Sequence, residues 1–409
     1  MASTWFQLGP AGDTADDAGG RVVAVMGAGN VTSIGVLDVL SKLVNDNAVC
    51  ILKVHALLKP LVPVFTEIFA PLIDEGFVAA TCGDAGEGAF LCSHPLVDAV
   101  HVTGSAATYG AIAAETTKPL TAELGNVTPA IVMGGKWSRR EIDYVAESLV
   151  SAKLHNDGYD CVALQVLVLP ARWPQRTEFV AAVERVLGRV AERPAYYPGS
   201  VSRFRDLTAG RSGLRSFGRM DDGHVAPTII DVDWRDDAEP LFTQEAFCPL
   251  LAIATIDGEP VEFLRDAVRF CNERLYGDLA AHIVARPTTL REYAADVDAA
   301  VEQLRYGSVG VNLWCGVGFL LAEVPWGATS GNTSNCIRSG RGTVHNAFRL
   351  RHPQKSVLRG PFFPLGGLLR PPWFVMQRNA RAISTLLCDY ERRAAPLTLA
   401  RLALLTMTG

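Results

Sequence analysis

Residues 21–54 read RVVAVMGAGNVTSIGVLDVLSKLVNDNAVCILKV, and the fold turns on this stretch. Val22–Met26 is a short apolar, β-branched run, Ile34–Asn45 places apolar residues at helical spacing, and Val49–Val54 is a second apolar run. Strand, helix and strand in that order form a crossover unit, because parallel strands need a connection of a dozen or more residues and an amphipathic helix supplies it. The same alternation runs outward. Phe77–Cys82, Ala99–Thr103 and Pro129–Met133 read as further buried strands, with a helix over Leu61–Glu75 among them. After a helical stretch at Arg140–His155, strands are expected at Gln165–Leu169, Leu250–Ile256, Leu279–Val284 and Ser308–Asn312. Helices near Pro174–Ala191, Val261–Arg274 and Thr288–Leu304 fall between them. Strands this uniformly apolar are covered on both faces. The expected class is therefore α/β, in two lobes of open, twisted, mostly parallel sheets with helices on both faces. The expected division is a flexible leader over residues 1–20, a first lobe over 21–137, a second lobe over 138–327, and a return segment with a tail over 328–409. Residues 195–225 are Gly- and Arg-rich without periodicity and read as an irregular excursion.

A chain of 409 residues has room for two or three domains. With 49% hydrophobic and 20% charged residues it is neither disordered nor of low complexity. No apolar run approaches the roughly 18 residues of a spanning helix, and residues 1–20 lack the basic start of a secretory signal. The nine cysteines are odd in number, scattered and without a CxxC pair, so a reduced, cytoplasmic location is expected. The eight histidines show no metal-ligand spacing, and no metal is expected. A net charge of −5 argues against nucleic acid as partner, but the charge is uneven. From Arg338 onward twelve Lys or Arg face only Asp389 and Glu391, a net of +10, leaving −15 on residues 1–337. This basic tail, with Leu386, Leu387 and Leu399 beside its arginines, has the composition of a membrane-surface segment; a cover over the acidic body is the plainer reading.

Four loops carry candidate chemistry. Gly27-Ala28-Gly29-Asn30 follows the first strand, but Thr32 stands where a dinucleotide fingerprint needs its third glycine, so a plain turn is the bland reading. Asn30 changes the weighting, since an amide beyond a strand's C-terminal end is placed to donate to a developing oxyanion. Gly104-Ser105 follows another strand and opens a helix, a place where backbone N–H groups hold phosphate; an ordinary Ser cap is the alternative. Glu123 lies among apolar residues, where burial raises a carboxyl pKa and equips it as a base; a salt-bridged Glu is the alternative. Cys161 ends the polar loop Asn156-Asp157-Gly158-Tyr159-Asp160, more accessible than Cys50, Cys82 or Cys271, which sit in apolar runs.

In order and spacing these residues resemble the NAD(P)-dependent aldehyde dehydrogenase superfamily, from about Arg21 to about Thr343. The family's loop asparagine is similar to Asn30, its strand-ending lysine to Lys53, its Gly-Ser turn to Gly104-Ser105, its Glu-Leu-Gly-Gly to Glu123–Asn126 and its Gly-x-x-Cys to Gly158–Cys161. Downstream, Glu245-Ala246-Phe247-Cys248-Pro249 resembles the family's Glu-x-Phe-Gly-Pro, and Pro325-Trp326-Gly327-Ala328 its Pro-Phe-Gly-Gly. The resemblance implies oxidation of an aldehyde to a carboxylic acid through a cysteine thiohemiacetal and thioester. Cys161 would be the nucleophile, Asn30 the oxyanion donor and Glu123 the base. NAD or NADP would be held at its riboses by Lys53 and Glu245, at its pyrophosphate by Gly104 and Ser105, and flanked by Phe247. No acidic residue follows Lys53 in Val54-His55-Ala56 to choose between the two cofactors. The chain departs from the family at Ala106, at Gly110, at Tyr159, and at Asp160, whose charge would raise the Cys161 pKa. About thirty residues precede Asn30, so an incomplete first lobe is expected. Two rival readings stay open: an acylating reductase using coenzyme A, and a nucleotide-binding pseudoenzyme. The family also implies a homo-oligomer.

Overall fold

The computed structural model describes residues 2–6 and 20–409. A six-stranded sheet has the order Gly340–Arg341, Leu120–Leu124, Ala99–Gly104, Arg21–Met26, Ala48–Val54, Val78–Cys82, parallel except for its first strand. A nine-stranded sheet has the order Ala2–Phe6, Pro353–Arg359, Ser308–Val311, Ala280–Val284, Thr128–Val132, Leu164–Pro170, Leu250–Ile256, Thr228–Val232, Arg215–Ser216, antiparallel only at its two edges. Pro325–Trp326 pairs with Val344–His345 in a separate short ribbon. The mostly parallel α/β class agrees with the sequence reading.

Burial in the large sheet follows the pleat. Along Leu250–Ile256, Leu250, Ala252, Ala254 and Ile256 enter one buried cluster while Leu251 and Ile253 enter the cluster on the opposite face. Each such aliphatic side chain contributes about 1.5–3 kcal/mol by leaving water, which is why these runs contain no polar alternation. Helix Arg139–Leu154 is started by Ser138, whose side chain accepts from Glu141 N while Glu141 accepts from Ser138 N. Such a reciprocal cap contributes about 1 kcal/mol and fixes where the helix, and hence the Cys161 loop after it, begins.

Several expectations need correction. Thr128–Val132, assigned above to the first lobe, pairs with Leu164–Pro170 and Ala280–Val284 in the nine-stranded sheet. The chain thus changes sheets at Gly125–Val127, because an apolar run reveals a buried strand but not its neighbours. Of the leader over 1–20, Ala2–Phe6 form a strand antiparallel to Pro353–Arg359, and residues 1 and 7–19 lie outside the described residues. The excursion 195–225 contains the helix Ser200–Thr208 and the edge strand Arg215–Ser216. Leu61–Glu75 is split into Val62–Ile68 and Ala70–Asp74, each carrying proline in its first turn, Pro63 and Pro71, where the missing N–H is tolerated.

The C-terminal segment is folded onto the body. Pro353–Arg359 extends the large sheet, and the helices Ala380–Arg392 and Pro396–Thr408 pack together. Arg370 Nε meets Glu147 Oε2 at 3.1 Å, Tyr144 donates to Leu369 O at 3.2 Å, and Val375 N donates to Ser151 Oγ at 3.0 Å. The passage before the tail helices therefore lies on helix Arg139–Leu154. Among the described residues, no helix is long and apolar enough to cross a membrane.

Candidate active site

Strand ends of both sheets contribute to one cavity. Asn30, Lys53 and Gly104 stand at C-terminal ends of the six-stranded sheet, the side where open α/β sheets bind ligands. Cys161 and the Glu245–Phe247 turn precede Leu164–Pro170 and Leu250–Ile256, at N-terminal ends of the larger sheet. Between them opens a cavity of about 910 Å³ whose wall includes Asn30, Lys53, Gly104, Ser105, Glu123, Cys161, Glu245 and Phe247. All eight residues singled out in the sequence reach one space.

The crossing between sheets is tied down by a buried amide network. Asn126 Nδ2 donates to Ala280 O at 2.9 Å, its Oδ1 accepts from Thr128 Oγ1 at 3.0 Å, and its backbone carbonyl accepts from Gln165 Nε2 at 2.7 Å. Gln165 Oε1 in turn accepts from Ala246 N at 2.6 Å, so one side chain joins the Glu123 turn to the Glu245 turn. Gly125 leaves room for the Glu245 carboxylate lying over it, which a Cβ would displace.

Glu123 is 3% exposed. Its Oε1 accepts from Trp326 Nε1 at 2.5 Å, and Oε2 has no partner among the described residues. Burial, then the charge of Asp38, pushes its carboxyl up to about 8, with the Trp326 hydrogen bond opposing. Burial also raises Glu245 to about 8, opposed by Arg203 and Lys153, and its Oε1 lacks a hydrogen-bond partner among the described residues. Near neutral pH both carboxyls are mainly protonated, and each can lose its proton within a small pH interval. The Cys161 thiol is held well above its ordinary value, first by burial, then by Glu123, Asp160 and Glu245. The expected effect of Asp160 is therefore present but second to burial and Glu123, and Asp160 itself pairs with His155 Nδ1 at 3.1 Å.

Asn30 does more than the sequence indicated. Its Nδ2 donates to Tyr159 O at 2.8 Å, and its carbonyl O accepts from Asn156 Nδ2 at 2.8 Å and from the Tyr196 hydroxyl at 3.3 Å. It clamps the cysteine loop, and its second amide hydrogen is chemically available to an oxyanion. Ser105 caps the ten-residue helix Ala106–Glu115, accepting from Thr108 N at 3.1 Å, so both the cap and the loop at the cavity wall are real. Phe247 adopts φ 43° and packs against Tyr197 at 4.8 Å, with the Arg203 guanidinium 6.0 Å from its ring.

Sequence reasoning missed four contributors. Trp326 was quoted in a motif without a role. Tyr197 and Arg203 came from the segment read as irregular. His55, whose Nδ1 caps the turn Ala56–Leu61 by accepting from Leu57 N at 3.2 Å, packs against Gly29 in the same wall. Only the aromatic pair Tyr196-Tyr197 offered a signal. Among the described residues no group of three His, Cys, Asp or Glu is arranged to hold a metal.

Comparison with known proteins follows the same lines. The aldehyde dehydrogenase family pattern matches residues 31–192. Geranial dehydrogenase of Castellaniella defragrans is 31% identical over 254 residues, covering 56% of this chain and 48% of that protein. The chain thus spans about half the length of that curated relative. An aldehyde dehydrogenase of Mycobacterium tuberculosis, solved with NAD+, superposes with TM-score 0.64 at 24% identity, over 83% of this chain and 69% of that one. The aldehyde dehydrogenase KauB of Pseudomonas aeruginosa gives 0.64 at 22%, over 82% and 68%.

Proposed function

We propose, from the premise that this chain is built on the sequence pattern and fold of the aldehyde dehydrogenase superfamily, that it oxidises an aldehyde to a carboxylic acid with NAD or NADP. The observation that carries the reading is the convergence of Cys161, Glu123 and Asn30 on one cavity. The residues present also fit a dinucleotide: Gly27, Gly29, Gly83, Gly88 and Gly104 line that cavity, and Glu245 turns an unpartnered buried oxygen toward its floor at Gly125. Lys53 and Glu245 would hold ribose hydroxyls, Gly104 and Ser105 the pyrophosphate, and Phe247 would flank the nicotinamide, which supplies the hydride acceptor when bound.

The chain's own residues account for the rest. The Cys161 thiol releases its proton to solvent through the cavity, and the thiolate sulfur attacks the carbonyl carbon to form a thiohemiacetal. The second amide hydrogen of Asn30 steadies the oxyanion. Once the carbon is oxidised to a thioester, Glu123 as carboxylate takes a proton from water, the hydroxide oxygen attacks the acyl carbon, and the Cys161–acyl bond breaks to release the acid and restore the thiol. A carboxyl with a value near 8 serves this step best at mildly alkaline pH. Retention of Glu123 favours hydrolysis over transfer to coenzyme A. The raised Cys161 thiol favours, as second reading, a site that binds nucleotide without turnover.

Cofactor reduction with an added aldehyde, followed by absorbance, separates these. Turnover abolished in Cys161→Ala supports the enzyme. Cofactor binding with no reduction supports the silent site, and strict dependence on coenzyme A supports acyl transfer.

A further inference from the structure

The thiol cavity occupies the N-terminal ends of the strands Thr128–Val132, Leu164–Pro170 and Leu250–Ile256, which run parallel. Their C-terminal ends, the side where parallel α/β sheets ordinarily take ligands, lie at the opposite edge of the sheet. A second cavity of about 550 Å³ opens there, bounded by the three chain segments that leave those strands, at Gly134-Gly135, Arg172-Trp173 and Gly258-Glu259. Its volume falls in the range of small-molecule sites, and Met133, Trp137, Trp173, Phe263 and Tyr293 make it apolar and aromatic.

Trp137 is the built element. Its backbone is held on both sides by Gln175, which accepts from Trp137 N at 2.7 Å and donates to Trp137 O at 2.9 Å. Its ring packs edge-on against Trp173, Phe179 and Phe362 at 4.7, 5.7 and 5.1 Å. Although Trp137 is 3% exposed, its Nε1 has no hydrogen-bond partner among the described residues, whereas the neighbouring Trp173 Nε1 donates to Gly135 O at 2.8 Å. An unsatisfied buried N–H is costly and asks for an acceptor. Trp137 Nε1 and Thr289 Oγ1 stand 3.2 and 3.1 Å from the point a Cβ on Gly135 would occupy, at the cavity wall. The rim charges offset one another: Arg172 is engaged by Asp257 at 2.8 Å and Glu259 at 2.9 Å, and Lys136 and Glu292 are of opposite sign. That favours an uncharged occupant.

We propose that this second cavity binds a planar, uncharged heteroaromatic molecule whose ring acceptor takes the Trp137 indole N–H. The site lies apart from Cys161 and is independent of the oxidation chemistry. Quinoline and naphthalene, alike in shape but differing by one ring acceptor, are the probes, with dissociation constants read by ligand-observed NMR on the full chain. Quinoline is expected to weaken about tenfold in Trp137→Phe, one hydrogen bond's effect, while naphthalene binds as to the wild type. Both probes weaken in Tyr293→Ala, which removes a wall without touching the N–H. In wild-type protein labelled at the indole nitrogens, one indole N–H resonance should move on adding quinoline and stay on adding naphthalene, a readout that survives if either variant fails to fold. No measurable binding of quinoline, no moving indole resonance, or equal loss of both probes in Trp137→Phe would overturn the proposal.

Discussion

Trp326→Phe tests the base assignment without touching the base. Trp326 is 1% exposed and gives Glu123 Oε1 its one hydrogen bond, at 2.5 Å. A hydrogen bond to a charged group contributes about 1.5–3 kcal/mol, and 1.36 kcal/mol corresponds to one pKa unit, so its loss should raise Glu123 by about 1–2 units. From about 8 the carboxyl would move to about 9–10. At pH 8 its ionised fraction then falls from about one half to about 1–10%, and thioester hydrolysis slows about 5–50-fold. Rapid mixing of enzyme, cofactor and aldehyde should show the first turnover retained and the steady rate reduced, with the inflection of rate against pH displaced to higher pH and the loss shrinking by pH 10. Phenylalanine leaves a void that costs about 1–3 kcal/mol of stability, which a thermal melt accounts for separately. A uniform loss at every pH, with the inflection unmoved, would refute the reasoning.

Other variants probe other links. Asn30→Ala removes both the clamp on Tyr159 O and the proposed oxyanion donor, and kcat/KM should fall about 10²–10³-fold, against little change for Tyr196→Phe, which removes hydroxyl bonds to the Asn30 backbone carbonyl and to Asn156 Oδ1. Gly125→Ala drives the Glu245 carboxylate from its seat; isothermal titration should show cofactor binding weakened about tenfold with the chain still folded, because the displaced atoms are the free end of a side chain. Asn126→Ala severs the bonds to Ala280 O and Thr128, and chemical denaturation should register a loss of about 2–4 kcal/mol. Glu123 is raised in the folded state to about 8 from an ordinary 4.5, so the stability it lends is full below about pH 4.5 and is lost as pH rises through 8; the melting temperature of wild type should fall more between pH 7 and 9 than that of Glu123→Gln.

What the sequence disclosed depended on how local the cause was. Leu250–Ile256 and Ile34–Asn45 were legible to the residue because apolar pattern and chain geometry coincide there. The eight wall residues were legible because each sits at a strand end next to glycine or a polar turn, where backbone rather than packing sets position. Thr128–Val132 was recognised as a strand but given the wrong lobe, since its partners Leu164–Pro170 and Ala280–Val284 lie far along the chain. Trp326 could not be assigned to Glu123, 203 residues away, from any spacing rule. Asn30 looked like a single-purpose amide because its clamp on Tyr159 exists only once the two sheets meet. The helix Ser200–Thr208 was hidden by the arginines and glycines around it, although Phe204 and Leu207 are buried in the core.

The central claim is that the sulfur of Cys161 carries the acyl group and that Glu123 admits the water that removes it. Intact-protein and peptide mass spectrometry of Glu123→Gln, after mixing with cofactor and a simple aldehyde, addresses both at once. The account predicts one acyl group per chain, on the peptide containing Cys161, persisting for longer than in wild type. An unmodified chain that has nonetheless reduced cofactor, or the acyl group on any of the other eight cysteines, would contradict it.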